Sequence, residues 1–248
     1  MQAGSNKIVL TIAGFDPCGG AGILADVQTI QQLGAQGMAV VSALTYQNED
    51  GFYGIEWKNF ESIKAQLDPI INRYPFDTVK IGIVQSMDIL NQTIDLLQEK
   101  NKDVNIIWDP VLKSSSGFDF SLCPDKQNLK EVLGKIYLIT PNKLEFDHLT
   151  RILPHEEWST NCLLKGGHNS SNDVTDLLMT SSQTKNIEAK RIEGRDKHGT
   201  GCVLSSALAT YISQGTDLET ACRKAKRYIE KFLMTGKEKL GRHFEVKI

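Results

Sequence analysis

The chain has 248 residues, 40% hydrophobic and 23% charged, with a formal net charge of -2. This length fits one large α/β domain, residues 1–248, better than two small ones, and the balanced charge gives no reason to expect nucleic acid or a membrane as partner. Five cysteines with no CxxC pair or metal-ligand spacing read as reduced thiols of a cytoplasmic protein, and the apolar run after the polar N-terminus is too short for a signal peptide or a membrane span.

Along the chain, short β-branched-rich runs at 7–13, 37–43, 78–83, 104–109 and 135–140 predict strands buried on both faces. Helical spacing falls between them. Ile23, Val27, Ile30 and Leu33 mark a helix over 21–33; Met87, Leu90, Ile94 and Leu97 mark another over 87–98, with Ser86 placed to cap it. Leu163-Leu-Lys-Gly-Gly-His168 is a further strand end that breaks into glycines. Residues 174–180 and 185–192 flank the polar turn 181–184 and predict an antiparallel hairpin. Two helices close the chain. The second opens on a capping box, Thr216 to Glu219, and presents Arg223-Lys-Ala-Lys-Arg227 as a solvated face. Such alternation predicts a doubly wound, mostly parallel sheet whose ligands bind beyond the carboxyl ends of its strands.

Those strand ends supply the candidate chemistry. The first runs into Ala13-Gly-Phe-Asp-Pro-Cys-Gly-Gly-Ala-Gly22, a turn that lets backbone approach a ligand but has neither a Walker A lysine nor GxGxxG spacing. Asp26 falls inside the apolar stripe of the first helix, where a carboxylate is costly unless paired or held for a ligand. Ligand contact is the expectation, against a local hydrogen bond. Gln47, past the second strand, offers a donor and an acceptor side by side, suited to the edge of a heteroaromatic ring or simply solvated. Asp109 and Glu145 stand at neighbouring strand ends and suit an Mg²⁺ that keeps its waters and bridges nucleotide phosphates; a turn before Pro110 and a first-turn helix partner are the structural alternatives.

Gly199-Thr-Gly-Cys202 is the most informative segment. Its glycines flank Thr200 where a turn hands over to a helix, so backbone N–H groups and the helix dipole suit a phosphate. The same setting lowers a thiol's pKa, and Cys202 is expected to be partly thiolate near neutral pH. His198 raises a Cys–His hydrolase, a reading that the phosphate-like surroundings disfavour.

Together the segments 13–26, Ala43-Leu-Thr-Tyr-Gln-Asn48, Lys80-Ile-Gly82, Trp108-Asp-Pro-Val111, Thr140-Pro-Asn142 with Glu145, Lys165-Gly-Gly-His168 and His198-Gly-Thr-Gly-Cys202 resemble the hydroxymethylpyrimidine/phosphomethylpyrimidine kinases of thiamine biosynthesis. The resemblance implies a three-layer α/β sandwich of the ribokinase-like kind with a mostly parallel central sheet. It implies ATP-dependent phosphorylation of 4-amino-5-hydroxymethyl-2-methylpyrimidine to the monophosphate and then the diphosphate. On the pyrimidine side it implicates Gln47, Asp26, Gly14 and Gly20, and on the ATP side Asn142, Lys165, Gly167 and Lys237. Gly199, Thr200, Gly201 and Cys202 would form the anion hole, with Cys202 where related sugar kinases have an aspartate base. Asp109 and Glu145 would hold Mg²⁺ through water, and a homodimer is the expected assembly.

Pyridoxal kinases of the same group are the nearest alternative, and Gln47, a methionine in the most similar of them, favours the pyrimidine. A non-catalytic pyrimidine-binding regulator is a more distant one. The chain also departs from the pattern: Tyr46 replaces a small residue, Ser115 a lysine, 149–163 is short by a helix, and 236–243 lacks the glycine-rich form of the family's segment.

Overall fold

Alternation along the strands divides the interior in two. The computed structural model describes residues 7–113, 117–120, 122, 124–166, 173–190, 192 and 196–243. Nine strands are present among them: β1 (Ile8–Phe15), β2 (Gln36–Gln47), β3 (Phe52–Trp57), β4 (Thr78–Ile81), β5 (Asn105–Trp108), β6 (Leu138–Ile139), β7 (Asn161–Leu164), β8 (Asp173–Met179) and β9 (Thr184–Lys190). They form one sheet in the order β3-β2-β1-β4-β5-β6-β7-β8-β9. The run from β2 to β7 is parallel; β3 closes one edge antiparallel and the hairpin β8–β9 closes the other.

Among the described residues seven α-helices cover the two faces: α1 (Gly22–Gln32), α2 (Phe60–Ile71), α3 (Met87–Lys100), α4 (Lys126–Lys135), α5 (Lys143–Ile152), α6 (Thr200–Ser213) and α7 (Leu218–Leu233). Leu10, Ile12, Val79, Ile81, Ile106 and Trp108 point to one face and pack with α2 to α5. Their neighbours Val9 and Ile107, with Leu138 and Leu163, point to the other and pack with α1, α6 and α7. The result is the expected three-layer sandwich. Ser86 caps α3 as predicted, accepting the Ile89 N–H at 3.2 Å. The cap of α7 is corrected by one residue: Asp217, not Thr216, accepts the Thr220 N–H, at 3.0 Å. Between α5 and β7 there is one 3₁₀ turn, His155–Glu157, tied back by the Trp158 indole donating to the Leu153 carbonyl at 2.9 Å.

The sequence reading did not assign β3, α2 or α4. In β3 the edge position leaves no residue buried, so its alternation is faint, and α4 buries only Leu129, Val132 and Leu133. No helix among the described residues is long and apolar enough to cross a membrane. β2 and β4 flank β1 on opposite sides, so the chain reverses its direction of travel across the sheet beside the carboxyl ends of β1 and β4. A crevice for ligands belongs there.

Candidate active site

Two helices begin at that reversal without a side-chain cap, α1 after Ala21 and α6 after Gly199. Their first-turn N–H groups are therefore not taken by the usual Ser, Thr, Asp or Asn oxygen. Gly199 has φ +73, and a β-carbon there would lie 1.9 Å from the Gly20 carbonyl oxygen. Glycine is thus required both by backbone conformation and by close approach. The Thr200 hydroxyl donates to the Lys197 carbonyl at 2.7 Å. A β-carbon on Gly20 would in turn meet the His198 ring at 2.5 Å and Leu240 at 2.8 Å.

Asp16 and His198, the latter raised by the sequence only as the partner of Cys202 in a disfavoured Cys–His hydrolase, tie these two turns together. Asp16 Oδ2 lies 2.9 Å from His198 Nε2 and accepts the Ala21 N–H at 2.8 Å, while Oδ1 accepts the Cys18 N–H at 3.0 Å. Burial pushes the Asp16 carboxyl up, but hydrogen bonds from His198, Cys18 and backbone outweigh it and hold the group below its ordinary range. Asp16, Cys18 and His198 have donor atoms within 4.8 Å of one another, enough to hold a metal ion by proximity. Asp16 Oδ2 already receives the Cys18 thiol at 3.3 Å besides His198 and Ala21, so the trio is satisfied by its own hydrogen bonds.

On the other flank of α6, the position of a β-carbon on Gly201 is 3.5 Å from Lys165 Nζ and 3.8 Å from Asp109 Oδ2. Asp109 is wholly buried. Its Oδ1 accepts from Lys165 at 2.9 Å and Thr140 at 3.1 Å, and its Oδ2 accepts from Ser205 at 3.2 Å. Burial raises this carboxyl, yet the Lys165 and Lys80 charges hold it well below the usual carboxylate range. Glu145 lies 4.0 Å from the same Lys165 ammonium. It also closes a capping box, accepting the Asn142 N–H at 2.7 Å while Asn142 accepts the Glu145 N–H at 2.9 Å. Burial lifts the Glu145 carboxyl to about 7 against the pull of Lys165. Lys165 thus stands between the two carboxylates expected to hold a metal.

On the substrate side, Gly14 makes room for Ile83, whose terminal carbon would be 2.6 Å from a β-carbon at that position. Gln47 is half-buried at the end of β2. Its side-chain amide donates to Thr45 Oγ1 at 2.8 Å, and Thr45 donates to the Phe15 carbonyl at 2.8 Å. Gln47 therefore borders the same glycine-rich turn as Gly14 and Gly20.

Asp26 is wholly buried as its helical position predicted, and its partners are internal: Lys80 at 2.7 Å and Thr11 at 2.6 Å on Oδ2, Ser206 at 2.7 Å on Oδ1. Both oxygens are engaged within the protein, so the buried carboxylate is paired by distant side chains and not by a local hydrogen bond. The expected Cys202 thiolate is corrected. Burial pushes this thiol up to about 11; the Lys80 charge and the Gly22 N–H pull it down, Asp26 and Asp109 push it up, and desolvation prevails over the helix terminus. Lys237 is exposed, two residues before Lys239, whose carbonyl accepts the His198 N–H at 2.9 Å. Gly167, His168 and Ser115 lie outside the described residues.

One signal would have found Lys80 and its partner. A lysine in the middle of a buried strand and a carboxylate on a buried helix face are each costly alone and make sense as a pair.

The pattern of the family described as phosphomethylpyrimidine kinase matches residues 16–246. A Geobacter sulfurreducens protein, thiamine biosynthesis bifunctional protein ThiED, is 37% identical over 235 residues; the match covers 89% of this chain, which spans about half, 48%, of that longer protein. The hydroxymethylpyrimidine/phosphomethylpyrimidine kinase of Aquifex aeolicus is 34% identical, with 96% of this chain and 98% of that protein covered. Among solved structures, phosphomethylpyrimidine kinase from Clostridium difficile superposes with a TM-score of 0.75 at 32% identity, covering 91% of this chain and 99% of that one. Pyridoxal kinase from Staphylococcus aureus in complex with ADP reaches 0.83 at 22% identity over 98% and 94% of the two chains, a likeness of fold. With a family pattern matched from Asp16 almost to the end and relatives above 30% identity along most of its length, this chain belongs to the phosphomethylpyrimidine kinase family.

Proposed function

We propose that the chain transfers the γ-phosphoryl group of ATP to the hydroxymethyl group of 4-amino-5-hydroxymethyl-2-methylpyrimidine and then phosphorylates the monophosphate. The observation that carries this reading is the uncapped first turn of α6, with Lys165 and Asp109 beside Gly201 and the Gly14–Gly20 turn pressed against Gly199. Backbone N–H groups of Gly201 and Cys202 suit the charge that develops on a transferring phosphoryl group. Gln47 reads the edge of the pyrimidine from the end of β2. Asn142, Lys165, Gly167 and Lys237 serve the nucleotide, Lys165 by neutralising phosphate charge. We extend the proposal to one folded domain, a homodimer and a cytoplasmic location, which limited proteolysis, sedimentation and cell fractionation test.

Asp109 and Glu145 suit Mg²⁺ through its water shell and not by direct ligation, because the Asp109 oxygens already accept from Lys165, Thr140 and Ser205. A bound Mg²⁺ would neutralise nucleotide phosphate charge. Glu145, with its pKa near 7, is then a carboxylate that gains charge when a cation arrives.

The two acceptors make different demands. The alcohol of the first step must lose a proton as it attacks, whereas the monophosphate of the second is already largely anionic at neutral pH. Cys202 is the proton acceptor of the first step. Because its thiol sits at about 11, the ionised fraction, and with it the first-step rate, rises about tenfold per pH unit from about pH 7 to 9. The second step stays flat. Cys202→Ala removes the slope and lowers the first step by about 10²- to 10³-fold, with less effect on the second. Equal losses in both steps, or a first step without pH slope in the unaltered protein, would remove Cys202 from this role. ATP consumption with the hydroxymethylpyrimidine, its monophosphate and pyridoxal in parallel tests the substrate assignment; turnover of pyridoxal alone overturns it.

A further inference from the structure

Resting on the kinase reading of the α6 turn, we infer that Lys80 is a positioning residue of the phosphoryl-transfer site: through its ion pair with Asp26 it holds the face of α6 that carries Cys202. Alternation along β4 places Val79 and Ile81 in the α2–α5 core and turns Lys80 to the opposite face, toward α1 and α6. There Lys80 is wholly buried, at a position where a β-branched apolar residue would avoid the cost of burying charge.

One carboxylate joins four elements. Asp26 of α1 accepts from Lys80 of β4 at 2.7 Å, Thr11 of β1 at 2.6 Å and Ser206 of α6 at 2.7 Å. Thr11 and Lys80 are register partners across β1 and β4, so their donor groups converge on one oxygen. Ser206 lies one turn beyond Cys202 and shares its helix face.

A second clamp repeats this arrangement beside it. Ser205, one turn beyond Gly201, shares its hydroxyl proton among Asp109 at 3.2 Å and the Gly201 and Cys202 carbonyls, each at 3.1 Å, and Asp109 is paired with Lys165 at 2.9 Å. Adjacent serines thus anchor the two residues of the anion turn to two acid–lysine pairs. A buried pair contributes little net stability compared with apolar packing, but it fixes geometry and leaves a costly orphan when one partner is removed. Near Cys202 the charged groups are Lys80 from β4, Asp26 from α1, Asp109 after β5 and Lys165 after β7.

The test compares Lys80→Met, Asp26→Asn and the double variant Lys80→Met/Asp26→Asn, which leaves neither charge unpaired. In the double variant, kcat for the pyrimidine falls by on the order of 10²-fold while KM for ATP stays within about threefold, the signature of lost alignment at the reacting atoms. Iodoacetamide labelling of Cys202, followed by mass spectrometry between about pH 8 and 10 without substrate, supplies a readout that loose packing does not mimic. Labelling becomes slower in Lys80→Met and faster in Asp26→Asn. A folded double variant with unaltered kcat overturns the inference, as does a folded Lys80→Met with an unchanged labelling profile; where a single variant does not fold, the double decides. If the unaltered protein phosphorylates none of the three acceptors, the kinase reading fails, and the labelling profiles still test the placement of Lys80.

Discussion

α5 and α6 both start at the carboxyl-end rim of the sheet, yet their first turns are finished in opposite ways. At α5 the Asn142 and Glu145 side chains satisfy each other's backbone N–H groups in a closed capping box. At α6 the cap is a glycine with φ +73, which makes no side-chain cap hydrogen bond. The difference separates a helix end that stabilises the fold from one kept available to an anion. The neighbouring Lys165 touches both regions, being 3.5 Å from the β-carbon position of Gly201 and 4.0 Å from Glu145.

The strongest way to break this contrast is Gly199→Ala. The added methyl group would need a left-handed backbone and would lie 1.9 Å from the Gly20 carbonyl oxygen, so the turn must shift. Turnover is expected to fall by about 10²- to 10³-fold, the scale of losing an oxyanion donor. Turnover near the unaltered level would mean that α6 opens no differently from α5.

Glu145→Gln probes the closed end. The folded-state pKa of Glu145, about 7, lies above its ordinary 4.5, so the folded protein binds more protons than the unfolded chain between those values. Its stabilising effect is complete below about pH 4.5 and is lost as pH rises through 7. Without nucleotide or metal, the melting temperature of the unaltered protein should therefore decline over this interval, by up to about 3 kcal/mol of stability, and decline less in Glu145→Gln. Identical pH profiles would show that the carboxyl is not held protonated.

The smallest effect is expected from Asn142→Ala. Loss of the cap costs about 1 kcal/mol in thermal or denaturant unfolding, and KM for ATP rises by about fivefold, the scale of one lost hydrogen bond, because Asn142 also serves the nucleotide. An unchanged KM would confine Asn142 to closing the helix.

Much of this contrast can be read along the chain because it depends on neighbours. Gly199-Thr-Gly-Cys202 announces an uncapped turn, and Ser86 announces a cap, since each concerns N–H groups within three residues. Asp26 is likewise recognisable as buried from the spacing of Ile23, Ile30 and Leu33. Its partner is not: Lys80 is 54 positions away, and only the pairing of β1 with β4 brings the two together. Asp16 and His198 are 182 positions apart and meet where the α1 and α6 turns touch. β3 escapes the pattern because an edge strand with no buried residue carries little periodic signal.

The sequence by itself determined the strand–helix alternation of the parallel sheet, the glycine turns, the Ser86 cap and the family to which the chain belongs. These follow from steric limits and hydrogen bonds acting over a few residues, or from motifs in a fixed order. Only the tertiary structure decided which charges are paired and in what form the groups stand. Asp26 became the counter-ion of Lys80, Lys165 came between Asp109 and Glu145, and Cys202 remained a thiol at a helix end that favours thiolate. Desolvation and through-space charge govern those outcomes, and both exist only once distant segments have packed against one another.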